Sequence, residues 1–270
     1  MVKRIYAFFI CIVLVVTLIG CGAEHKQTNQ EKPVEITVFA AASLTESFNE
    51  IAAEFEKLDN GTVKVVYNFA GSQALKTSLE NGAKADIFAS ASINYMEELE
   101  EKGFVSGYSI FAQNRLVLIK NKKSSYSIAK LGDLSAEGLK IAVGDVSVPV
   151  GMYWEQALET AYADGELKSD EISRIERNIK TTELNVKDVV SKVTLNVVDA
   201  GVVYKTDVTR SVLEKVEEID LPVLQRFDSK YPAAVLKDSE GNAEALKFYN
   251  FLLSEKGKEI LKKYNFITDK

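Results

Sequence analysis

The chain has 270 residues, 46% hydrophobic and 27% charged, with a formal net charge of −6. That length and composition suit one large or two modest globular domains, and the acidic balance argues against nucleic acid as a partner. One histidine and two cysteines leave little material for metal or redox chemistry.

In chain order, Lys3 and Arg4 give a positive start and Tyr6 to Ile19 is almost wholly apolar. Small residues and a cysteine follow in "LIGC", residues 18–21. This is the layout of a secretory signal peptide over residues 1–20, too short to be a comfortable membrane span. Cys11 would leave with it, and Cys21 would be the one cysteine kept. No disulfide, zinc site or cysteine nucleophile is then expected. Losing Lys3 and Arg4 takes the formal charge from −6 to −8. Residues 21–33 run through "GAEHKQTNQEKP" and read as a flexible tether.

About 237 residues of globular chain remain. "ITVFAAA" (36–42) has strand length and is apolar throughout. From Ser43 onward, Leu44, Phe48, Ile51, Ala52, Phe55 and Leu58 fall on one face of a helix. "TVKVVYNFA" alternates as a strand, and "SQALKTSLENG" is a short helix that Gly82 stops. "ADIFAS" is a strand and "INYMEELEEKG" a helix. "NRLVLIK" is a strand, "SIAKLGDLS" a short helix, "LKIAVGD" a strand and "VGMYWEQALETAYADG" a helix. "SDEISRIERN" and "NVKDVVSKVTL" read as helices, "DAGVVYKTDV" and "YPAAVLK" as strands. Asn242 to Tyr264 is helical, in two pieces broken near Gly257. The alternation predicts an α/β fold with mainly parallel, buried strands. Ligands in such folds bind beyond the carboxyl ends of strands, where helices begin.

Four strand-to-helix joints share one design. "AAASLTE" carries Ser43, with Glu46 in the spacing of a capping box. "NFAGSQAL" carries Gly71 and Ser72. "VSVPVGMYW" carries Pro149, followed by the amides of Val150 and Gly151. "ELNVKDVV" carries Asn185 as a cap, followed by the amides of Val186 and Lys187. Each joint, taken alone, is also what plain helix capping looks like. But the first N–H groups of a helix lack partners inside it and bear partial positive charge, so an anion is stabilised there.

Absences narrow the field. His25, the single histidine, lies in the tether, so a Ser-His-Asp hydrolase and a histidine-bearing metal site are excluded. No phosphate loop, no GxGxxG and no calcium-loop pattern occurs.

Taken together, the joints resemble the molybdate-binding, ModA-type substrate-binding proteins of bacterial ABC importers (periplasmic-binding-protein superfamily, type II). The residues that carry this are "ITVFAAASLTESF" (36–48), "NFAGSQAL" (68–75), "ADIFASAS" (85–92), "IAVGDVSVPVGMYWEQAL" (141–158), "AGVVYKTDV" (200–208) and "YPAAVL" (231–236). "LIGC" likewise resembles a bacterial lipobox, which implies a lipidated Cys21 anchored at the outer face of the cell membrane. The resemblance implies a two-lobed α/β fold, each lobe a mainly parallel sheet flanked by helices, joined by two crossover hinges. One lobe is residues 34–113 plus 226–270 and the other 114–225, with crossovers near Gln113 and Gln225.

It also implies a site for a tetrahedral oxyanion, molybdate or tungstate, held by neutral donors. Carried over, these are Ser43 and Ser72 by hydroxyl and amide, Val150 and Val186 by amide, and Tyr204 by its hydroxyl. By its strand position alone, Tyr204 reads as a residue packed at a domain edge, and the resemblance reverses that reading. Gln73 stands where many relatives have serine, and "SASINYM" lacks a frequent acidic residue. Molybdenum would be present only as the oxyanion, and no cofactor is expected. The partners implied are a molybdate ABC transporter permease and its ATPase, the protein itself being a monomer. The function is binding and delivery, not catalysis. Readings kept open are a sulfate/thiosulfate or tungstate-specific receptor of the same fold and a lipid-anchored surface adhesin; an enzyme on this fold would need a cofactor-bearing cysteine, and none is left. A donor-only site suits a fully deprotonated anion. Asp145 and Glu46 are the carboxylates near the joints, expected to be a loop residue and a cap respectively.

Overall fold

The computed structural model describes residues 32–268. The expected leader, Cys21 and nearly all of the tether lie outside them. Strands form where the apolar or alternating runs predicted them: β1 (Val34–Ala41), β2 (Val63–Ala70), β3 (Ile87–Ala89), β4 (Ser109–Asn121), β5 (Ile141–Gly144), β7 (Ala200–Tyr204) and β9 (Asp228–Val235). Two further strands were not expected, β6 (Ile179–Glu183) and β8 (Val216–Ile219). Their helices are α1 (Thr45–Leu58), α2 (Ser72–Glu80), α3 (Ile93–Glu101), α4 (Pro149–Ala163), α5 (Ser169–Asn178), α6 (Val186–Thr194), α7 (Arg210–Leu213), α8 (Ala243–Leu253) and α9 (Glu255–Lys263). The short helix expected in "SIAKLGDLS" is a 3-10 turn over Leu131–Ser135. The break in the tail falls at Ser254 rather than Gly257, because the Ser254 hydroxyl caps α9 by accepting from the Gly257 amide at 3.2 Å.

The strands join in the order β2-β1-β3-β9-β4-β7-β5-β6, with β8 also paired to β4. β1 pairs in parallel with β2 and β3, and β5 with β6 and β7. Helical crossovers join these strands, as parallel neighbours require. Pairing turns antiparallel along the middle, at β3–β9, β9–β4, β4–β7 and β4–β8. The sheet is therefore more mixed than the run of alternating elements suggested.

β4 is the seam. Ser109–Arg115 pairs with β9, and Leu116–Lys120 pairs with β7. The switch comes within three residues of Gln113. Pro232 interrupts the β9 ladder, since it has no N–H to give. The register of β4 slips between Ile110 and Ala112 opposite Pro232 and Tyr231.

The helices bury one stripe each. In α6 the stripe is Val186, Val189, Val190 and Val193. β-branched residues are mediocre helix formers, so burial rather than propensity holds this helix. It packs on β7 and β5. A Cβ built on Gly201 of β7 would sit 2.8 Å from Val189 and 2.9 Å from Val193. The missing side chain is what lets α6 lie this close. Gly201→Ala is expected to destabilise the fold by about 1–3 kcal/mol through overpacking. Urea unfolding measures it, and an unchanged midpoint would show that α6 has room to move.

Candidate functional site

The site is built from strand ends. β1 ends at Ala41 and the chain turns through a 3-10 segment, Ala42–Leu44, into α1. β2 ends at Ala70, and Gly71 leads into Ser72, the first residue of α2. β5 ends at Gly144, and Pro149 opens α4 after a short loop. β6 ends at Glu183, and Val186 opens α6 after Asn185. β7 ends at Tyr204 itself. These joints surround one small cavity. Ser43, Ser72, Val150, Val186 and Tyr204 all line it, and each is buried. No residue of its lining carries a charged side chain.

Helix geometry explains what faces the cavity. Ser72 and Val186 are first residues of their helices, and Val150 is a second residue. Their amides have no carbonyl one turn back to receive them. Asn185 caps α6 as predicted, its side chain accepting from the Asp188 amide at 3.1 Å. That bond leaves the Val186 amide, beside the cavity, without a side-chain cap. Ser72 accepts from the Ala91 amide at 3.0 Å through its oxygen.

The capping box expected at the first joint does not form. Leu44, not Ser43, stands at the cap of α1, and no side chain caps it. The Ser43 hydroxyl lies 2.8 Å from the hydroxyl of Tyr231. Glu46 instead meets Lys187, with Nζ to the two oxygens at 2.7 and 2.9 Å. The local spacing could not reveal partners 141 and 188 residues away.

Tyr204 is 2% exposed, and its hydroxyl makes no hydrogen bond. Its neighbour Ser229 gives its own hydroxyl to the Ala91 carbonyl at 2.8 Å. Burial holds the Tyr204 phenol well above its usual pKa, so it stays an O–H donor. A buried, partnerless donor against a cavity is costly unless something there accepts it. Asp145 does not reach the cavity. It accepts from the Ser147 amide at 3.0 Å and hydroxyl at 2.7 Å, which lower its pKa.

Three contacts join the segments beside the cavity. Gln73 Nε2 donates to the Leu184 carbonyl at 2.8 Å. The Tyr95 hydroxyl donates to the Ser147 carbonyl. Lys187 joins Glu46 to Asp207, whose Oδ1 is 3.0 Å from Nζ. A Cβ on Gly71 would fall 2.4 Å from the Leu184 carbonyl oxygen, so only glycine lets the two edges meet here. Burial pushes the Asp207 carboxyl up, and Lys187 offsets only part of that. Burial acts to lower Lys187, but Asp207 and Glu46 outweigh it and raise the ammonium. Sequence reasoning missed Lys187, Asp207, Tyr231 and Asn114. The available signals were the Asp three residues after Tyr204 and the Lys directly after Val186.

A family model described as bacterial extracellular solute-binding protein matches residues 36–267. The chain is 33% identical over 259 residues to the molybdate-binding protein ModA of Mycobacterium tuberculosis, covering 94% of each. It is 30% identical along the whole of both chains to the ABC transporter substrate-binding lipoprotein YvgL of Bacillus subtilis. The periplasmic molybdate-binding protein of Azotobacter vinelandii superposes with a TM-score of 0.73, covering 87% of this chain and all of that one at 20% identity. That last likeness speaks for the fold alone. A model match over nearly all the described residues, with relatives of this identity and coverage, shows that the chain belongs to the bacterial extracellular solute-binding proteins.

Proposed function

We propose that this solute-binding protein captures molybdate, and tungstate as its close analogue, between two lobes and passes it to an ABC importer. The observation that carries the reading is the cavity itself. Neutral donors from five joints line it, one of them a buried hydroxyl with no partner, and no cation is among them. Such a wall fits an anion whose oxygens all accept.

A dianion loses much hydration on burial. Hydrogen bonds to a full charge return roughly 1.5–3 kcal/mol each, and several aligned donors offset the loss. The ligand residues are Ser43, Ser72, Val150, Val186 and Tyr204. The lobes are residues 34–113 plus 226–270, and 114–225, hinged near Gln113 on β4 and near Gln225 before β9. The switch of β4 from β9 to β7 supports the first hinge. Ser43 and Ser72 then belong to one lobe, and Val150, Val186 and Tyr204 to the other. Closure completes the donor set, so the filled protein favours the closed form. The permease and its ATPase read that form from a monomer tethered through residues 21–33 and lipidated Cys21, after removal of residues 1–20.

Calorimetric titration tests the reading. Molybdate and tungstate are expected to bind tightly, and phosphate not at all. Ser43→Ala and Ser72→Ala should each weaken molybdate by about ten- to a hundredfold, the cost of one charged hydrogen bond, while unfolding stays cooperative. Unchanged affinity in both variants would place the ligand elsewhere.

The bridge from Lys187 to Glu46 and Asp207 is tested by pH. Asp207 has a raised pKa in the fold, so its contribution is fully favourable below about 3.9, the unfolded value. It is lost as pH rises through the folded value. Lys187, itself raised, stays protonated throughout that window and limits the loss. Lys187→Met should cost about 3 kcal/mol at pH 7 and clearly less at pH 4.5. Equal costs at both values in urea unfolding would mean that Asp207 does not feel the lysine.

A further inference from the structure

Behind Ser43 lies a chain of buried hydrogen bonds whose direction can be worked out. Asn114 sits on β4 at the seam and is 1% exposed. Its Oδ1 accepts from the Arg115 amide at 3.0 Å, which fixes the Nδ2 group on the opposite side. Nδ2 has two hydrogens. One goes to Thr206 Oγ1 at 2.8 Å and the other to the Tyr231 hydroxyl oxygen at 3.2 Å. Tyr231 is fully buried. Its oxygen, already accepting, keeps one hydrogen of its own, and the Ser43 oxygen lies 2.8 Å away.

Two assignments of that last bond can be drawn. If Ser43 donated to Tyr231, the phenol hydrogen would be left buried without an acceptor. A buried donor in that position is costly. If Tyr231 donates, every hydrogen of Asn114 Nδ2 and Tyr231 is used. The Ser43 oxygen then accepts, and its own hydrogen is left for the cavity that Ser43 lines. Ser72 repeats the logic. The Ala91 amide occupies its oxygen and leaves its hydrogen free.

We propose that Asn114 and Tyr231 are positioning residues that direct the Ser43 hydroxyl hydrogen toward the cavity, and so favour an oxyanion that meets it with an acceptor over one that meets it with a hydroxyl. This rests on the reading of the cavity as an oxyanion site. Neither residue lines the cavity. They act through Ser43. An oxyanion bearing a hydroxyl would bring hydrogen against hydrogen there. A fully deprotonated one meets only donors. Asn114 also spans the seam, since Thr206 follows β7 while Tyr231 lies on β9. The polarity is therefore set complete only when both sides are in place.

The test is a double-mutant cycle with molybdate and phosphate as probes at neutral pH, on the full chain, with thermal unfolding to verify the fold. Tyr231→Phe should weaken molybdate about tenfold when Ser43 is present and less than twofold in a Ser43→Ala background. It should also narrow the preference for molybdate over phosphate at least tenfold, because the Ser43 oxygen can then accept. Asn114→Asp supplies an acceptor in place of a donor and reverses the chain, so it should lose molybdate a hundredfold or more. Adding Tyr231→Phe to Asn114→Asp should recover part of that loss, since the reversal can no longer reach Ser43. An equal cost of Tyr231→Phe in both backgrounds, or an unchanged preference ratio, overturns the proposal. If Asn114→Asp does not fold, the Tyr231→Phe cycle decides alone. A wild-type chain that binds no oxyanion sinks the functional reading and this one with it. A wild type that binds, with an additive cycle, sinks this one alone.

Discussion

The constraint on which the rest depends is that a helix cannot satisfy its own first amides. Every α/β joint leaves such groups at the carboxyl end of a strand. Usually a side chain or water meets them. Here Ser72 begins, and Val150 is second in, helices that no side chain caps. Asn185 caps a later amide and leaves Val186 alone. The sheet order then decides what these loose ends can do. β1, β2, β5, β6 and β7 all deliver their carboxyl ends to one cavity, so separate deficits become one shared site. A tetrahedral dianion is the complement of that arrangement, because each of its oxygens needs donors and none needs an acceptor.

The neutrality of the wall follows from where the charges went. Lys187 directly follows Val186 and could have presented a cation to the cavity. Its ammonium turns instead to Glu46 and Asp207. The pair is partly buried, and desolvation takes back most of what such contacts gain, so its worth lies in geometry more than in raw stability. It connects the turn after Ser43, the start of α6 and the turn after Tyr204. Three of the five donor-bearing joints are thereby held in register by one side chain that never touches the cavity.

Much of this was legible in the sequence, and the physical reason is locality. Pro149, Gly71, Asn185 and the apolar periods of α1 and α6 are signals read within a few residues. Two strands were not legible. "IKTTE" and "VEEI" are short, polar and partly exposed, and become strands because β5 and β4 offer them an edge. The Ser43–Glu46 pair shows the other failure. Spacing pointed to a cap, but a hydroxyl from β9 and an ammonium from α6 outcompeted the local backbone. The break at Ser254 instead of Gly257 is the same lesson on a small scale: the Ser254 hydroxyl starts the last helix by accepting from the Gly257 amide, which leaves the glycine inside it.

Selectivity is then a question of hydrogens rather than of charge. The chain's overall charge of −6 would repel an anion at long range, but salt screens that over about 10 Å. At contact distance the wall offers neutral groups, hydroxyls and helix-start amides set among alanine, valine and proline carbon. A lysine or arginine there would attract every anion in proportion to its charge, protonated or not. A hydroxyl that accepts from behind keeps its hydrogen to turn toward the cavity. Under the proposed reading, discrimination among tetrahedral anions rests on groups one layer back, where the Ala91 amide donates to Ser72 and Tyr231 donates to Ser43. Residues that never reach the ligand would then help to choose it.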